Sequence, residues 1–114
     1  MNQTTPVGIS DEILTFCREI DPSTNPTFVD VIPTKDSKHQ DCFSNVESHI
    51  KEFGGNIGYG WTIWESPNLF IEAEFHAVWI DNKRKYIDIT PKKDGEKKIL
   101  FFPNTPQLAV GIKL

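Results

Sequence analysis

Long apolar runs are missing from this chain. No stretch approaches the roughly 20 apolar residues that a membrane-spanning helix needs, so no membrane partner is expected. The N-terminal segment, Met1 to Gly8, is polar and lacks the apolar core of a secretory leader. Residues 1–8 are therefore expected to be a flexible N-terminus, and the chain is read as cytoplasmic. Cysteine is scarce, with two in 114 residues, so there is no framework of disulfides. Cys17 and Cys42 are expected to be free thiols. Only in a secreted chain would a Cys17–Cys42 bridge be open to them. Internal repeats and low-complexity tracts are also missing. So is an excess of positive charge: the net charge is −4, which argues against nucleic acid as a general partner. Seven cationic side chains do fall between Lys83 and Lys98, and they are read as solvated turn tips.

What is present fits one soluble folded domain, residues 1–114, with apolar content of 38% and charged content of 25%. Ile9 to Ile20 reads as a helix capped by Ser10, with Asp11 and Glu12 at its positive end. Cys17 lies in its apolar stripe with Ile13 and Ile20, so its expected role is packing. Thr27 to Ile32 is a short β-branched run that Pro33 ends, which suggests an edge strand. Asp41 can cap a second helix, Cys42 to Phe53, in which Phe43, Val46, Ile50 and Phe53 form one stripe. Gly54-Gly55 stops it. From Ile57 the pattern alternates. Strands are expected at 57–65, 69–80, 86–90 and 99–102, with a turn at Ser66-Pro67-Asn68 and another at Asp81-Asn82-Lys83. The architecture is thus α+β, with N-terminal helices followed by an antiparallel β-sheet meander.

Three residues then stand out by type and order. Cys42 opens a helix, where backbone amides and the helix dipole favour thiolate over thiol. His76 lies on an apolar strand, and Asp88 on the next. A cysteine nucleophile needs a base for its proton and a carboxylate to orient that base. If the turn is centred on Asn82, His76 faces Asp88 directly, with Cβ atoms about 4.5–5.5 Å apart. A slip of one residue would send Asp88 to the other face. A preceding turn centred on Pro67 would place Gly58 opposite His76, leaving space for a helix start or a substrate backbone. Gln40, Tyr59 or Trp61 could supply an oxyanion or groove contact, and Trp64, on the glycine face, would line a groove.

Taken singly, each residue has a plainer explanation: a structural cysteine, a satisfied histidine, a strand-end aspartate bonding Thr90. His39 and Cys42 do not meet zinc spacing, so neither a metal nor a cofactor is expected. Glu72 and Glu74 share the face of His76 and could polarise it or form an exposed rim. His49 lies two helical turns from Cys42 and is not the base.

The segments Asp41-Cys42-Phe43-Ser44-Asn45, Glu74-Phe75-His76-Ala77-Val78-Trp79 and Tyr86-Ile87-Asp88-Ile89-Thr90-Pro91 together resemble the transglutaminase-like branch of the papain-like cysteine enzymes. The resemblance covers about residues 38–103 and implies a papain-like core over residues 34–103. It implies Cys42 as nucleophile, His76 as general base and acid, and Asp88 as orienter. The Cys42 motif lacks the Trp or Gly neighbours seen in many members, and the gap to His76 is short. The expected function is that of a small cysteine hydrolase or acyltransferase acting on amide bonds of a protein or peptide substrate. The other reading is a non-catalytic binding module, a pseudoenzyme or inhibitor on the same fold, using Tyr59, Trp61 and Trp64.

Overall fold

A computed structural model describes residues 3–66 and 69–104. Two helices and five strands follow in the order α1 (Asp11–Ile20), β1 (Thr27–Val31), α2 (Cys42–Phe53), β2 (Asn56–Ser66), β3 (Phe70–Ile80), β4 (Tyr86–Asp88) and β5 (Lys98–Pro103). The class is α+β, as the sequence suggests. Ser10 caps α1 by accepting from Ile13 N. Asp41 holds the cap position of α2, yet its side chain makes no cap bond, so it leaves the first amides of that helix free. Pro67 and Asn68 of the expected turn lie outside the described residues. Among the described residues, no helix is long and apolar enough to cross a membrane.

The strands close into a barrel ordered β1-β4-β3-β2-β5, and the expected antiparallel meander is corrected on two counts. β1 falls between the helices in sequence and pairs parallel with β4, through Asp30↔Ile87 and Val31↔Asp88. It also pairs antiparallel with β5, so it is no edge strand. β5 lies between β2 and β1. The cause is legible in β5 itself, where Ile99, Leu100, Phe101 and Phe102 are all fully buried. A strand apolar on both faces needs cover on both sides, and only a position within the barrel wall supplies it.

Strand alternation divides that cover. Ile99 and Phe101 point inward and pack with Val29, Val31 and Val78. Leu100 and Phe102 point outward and meet Ile63 and the Ile13–Cys17 stripe of α1. α2 covers the outer side of β3, where Val46 packs on Ala77 and Ile89. β2 outruns β5, and its free edge at Glu65 bonds Thr4 reciprocally, with N···O distances of 2.8 and 2.9 Å. The N-terminal segment expected to be flexible is therefore docked at that point.

Both hairpins pair one residue away from the expected centres. β3 and β4 pair through Trp79↔Ile87 and Ile80↔Tyr86, so their turn is centred on Lys83, not Asn82. Moving a turn centre by one residue shifts each partner by two, which keeps every side chain on its face. His76 and Asp88 thus remain on one face, but as diagonal neighbours. In the other hairpin Gly60, not Gly58, lies opposite His76. The space beside it is filled, since a Cβ on Gly60 would stand 2.4 Å from Phe102 O and 2.6 Å from Phe101 Cζ. Close packing of β5 requires this glycine.

Candidate active site

A cleft of about 550 Å³ opens at one end of the barrel, lined by Cys42, Phe43, Trp64, Glu74, His76 and Lys92 among others. Three different elements deliver its chemistry. Cys42 begins α2 and is half-buried. His76 comes from the inner face of β3 and is 5% exposed, while Asp88 ends β4 and is fully buried. His76 Nε2 lies 3.0 Å from Asp88 Oδ2. With Nε2 so committed, Nδ1 is the nitrogen left to face the thiol, and Cys42 and His76 stand near enough for each to shift the other's proton affinity. β4 pairs with β3 at only two positions. Beyond them, the Ala77 backbone amide adds to the groups that favour thiolate at Cys42.

The electrostatics follow from those contacts. Burial pushes the Cys42 thiol up, but bonding and charge from His76, the Ala77 amide and Lys92 together bring it below its ordinary value of 9.0. Burial pulls His76 down, yet Asp88 and Cys42 hold its imidazole above 6.5. Burial would raise Asp88, and His76 and Lys92 keep it below 3.8. The direction is the same in each case: toward thiolate, imidazolium and carboxylate. Cys17, fully walled by hydrocarbon, is pushed up to about 11 by burial alone.

Further polar groups fix this arrangement. Asp88 Oδ1 accepts from Thr90 N at 3.1 Å. Asn45, buried on α2, donates to Thr90 Oγ1 at 3.0 Å and bonds both Lys38 N and Lys38 O. The loop before α2, the helix start and the end of β4 are thereby tied together. Lys92 Nζ lies 2.5 Å from Asp88 Oδ2 and 3.3 Å from His76 Nε2. Asn45 and Lys92 are absent from the sequence-derived set. Asn45 left one trace, a polar residue on the inner stripe of a helix. Lys92 left none, because i,i+4 spacing brings side chains together on a helix and Asp88 ends a strand.

The remaining expected residues divide between surfaces. Gln40, exposed with φ 61°, lines the cleft beside His39. Trp64 lines it from the inner face of β2 and donates to Glu74 Oε1 at 3.3 Å. Tyr59 and Trp61 lie on the outer face, so the single groove expected of all three does not form. They join a strip with Phe43 and Phe75, with ring centroids 5.3–6.3 Å apart. Trp61 Nε1 donates to Asn104 Oδ1 at 3.2 Å. A second depression, about 450 Å³, holds Asp30 between Lys85 and Lys98 and contains no nucleophile. Among the described residues, no three His, Cys, Asp or Glu side chains gather as a metal site. Comparison with protein-family models, curated proteins and solved structures finds no match.

Proposed function

We propose that this protein is a cysteine acyl-transfer enzyme acting on carboxamide or peptide bonds, with a papain-like or transglutaminase-like division of roles. The observation that carries the reading is the meeting of Cys42 and His76 in one cleft, with His76 Nε2 3.0 Å from the fully buried Asp88. In that arrangement the Cys42 thiolate attacks the carbonyl carbon. His76 then gives its proton to the departing nitrogen as the C–N bond breaks, leaving a thioester on Cys42. Water, with His76 as base, releases an acid, whereas an amine in its place forms a new amide. Free amides at the start of α2, with Gln40 beside them, are suited to hold the developing oxyanion. Phe43 and Phe75, which line the cleft with Cys42, give the apolar part of a peptide a surface near the sulfur.

Alkylation by iodoacetamide at neutral pH, located by mass spectrometry, tests the reading. Cys42 should react at least about ten-fold faster than free cysteine, as activated thiolates do, with Cys17 unmodified. His76→Ala should remove that advantage. A Cys42 no faster than free cysteine sinks the proposal. The aromatic strip also favours a second reading, a binding module, under which Cys42→Ala would retain biological activity and Tyr59→Ala would lose it.

A further inference from the structure

Lys92 belongs by sequence to a run of cations that should reach solvent, but it does not. Its side chain is 10% exposed, while Lys85 and Lys98 are 61% and 62% exposed around a half-exposed Asp30. It turns inward to within 2.5 Å of Asp88 Oδ2 and 3.3 Å of His76 Nε2. Asp88 Oδ1 accepts from Thr90 N, while imidazole and ammonium both lie on Oδ2. A carboxylate whose only task were to orient a histidine would not need a second buried cation. We propose that Lys92 is a positioning residue of this site, whose ammonium shares Asp88 Oδ2 with His76 and thereby sets the pH at which the Cys42–His76 pair gains and loses protons. The inference rests on the acyl-transfer reading for its purpose, although not for its test.

The neighbourhood supports it from every side. Cys42 faces His76 from α2, Asp88 from β4, and Lys92 from the segment after β4. Glu74 on β3, His39 before α2, and Lys93, Asp94 and Glu96 after Lys92 also line the cleft. β5 presents only Phe101, whose ring lies edge-on to the imidazole at 6.5 Å, and β2 presents Gly60 and Trp64, so neither adds charge. The ammonium beside Nε2 opposes imidazolium and also favours thiolate, so it lowers both His76 and Cys42. Lys92 touches the ring directly, so its hold on His76 is the stronger. The range in which thiolate and imidazolium coexist is moved toward lower pH.

The test is an NMR titration of the His76 ring in the full chain, alongside the pH profile of Cys42 alkylation. It compares wild type with Lys92→Met and Lys92→Arg. In Lys92→Met the His76 midpoint should rise by about one pH unit, the size expected when a like charge is removed from contact. The alkylation profile should follow it to higher pH. Lys92→Arg should stay close to wild type, which a purely space-filling role would not require. An unchanged or lowered midpoint in Lys92→Met overturns the proposal. Should that variant fail to fold, the wild type decides: the Lys92 Nζ signal must shift as His76 titrates, and a signal that stays fixed overturns it equally. No substrate is involved. An ordinary, slow Cys42 combined with the expected His76 shift would sink the acyl-transfer reading and leave this one standing.

Discussion

Cys17 and Cys42 share one chain and meet opposite environments. Cys17 packs with Ile13, Ile63 and Leu100 and behaves as a small hydrophobe. Cys42 lines a cleft with His76 and Lys92, whose charges help to hold its thiol below the ordinary value. The buried pair behind it makes stability depend on pH with a definite sign. His76 binds its proton more tightly when folded, so its contribution is complete below its unfolded value of 6.5 and fades as pH rises through the higher folded one. Asp88 runs the other way, contributing above 3.8 and losing that contribution as pH falls through its lower folded value. Urea midpoints measured across pH should therefore fall on both the acid and the alkaline side. Asp88→Asn should flatten both arms. It should also cost about 3–5 kcal/mol, as removing one partner of a buried pair does, because Lys92 loses its carboxylate. A variant as stable as wild type at neutral pH would contradict this. Cys42, His76 and Asp88 could be read from residue type and order. Lys92 could not, because its neighbours in sequence are solvated lysines and only the fold turns it inward.

Elements were more legible than their pairing. Ser10 and Gly54-Gly55 mark helix limits through local chemistry, and the change from helical to alternating spacing at Ile57 marks the first long strand. Turn centres depend on backbone geometry that residue type constrains weakly, so both hairpins pair one residue further along than the pattern suggests. The two-residue side-chain period protected the His76–Asp88 relation from that error, but it reassigned the glycine. Gly60 sits under the carbonyl of Phe102 and the ring of Phe101. A Cβ at Gly58 would meet Val78 and Ile80 side-chain carbons at 3.1–3.2 Å, and such side chains can give. Gly60→Ala should thus destabilise far more than Gly58→Ala, by about 1–3 kcal/mol for overpacking against backbone, read from urea unfolding. Equal effects would mean that β5 is free to move away from β2.

At the scale of the whole molecule, closure was beyond the reach of pattern. β1 carries a short run and a following proline, features of an edge, and becomes a wall strand because β5 and β4 flank it. Parallel partners far apart in sequence leave no local signal. Closure flanks β1, β4 and β5 with a paired strand on each side, which leaves none of the three as an edge strand. Amides of β1, β4 and β5 should therefore exchange with solvent hydrogen through one shared opening free energy, measurable by native-state exchange. Val29→Ala, at an inward position on β1, should lower protection in all three strands together. Separate, lower protection confined to β1 would contradict this closed arrangement.

The backbone carbonyl of Asp88 accepts from Ile32 N at 2.9 Å, just past β1, and β1 is held on its other side by β5. The carboxylate behind the histidine is thus held in part from two strands away. A substitution that loosens residues 98–103 from β1 would reach Asp88 through backbone bonds alone, without touching a side chain of the cleft.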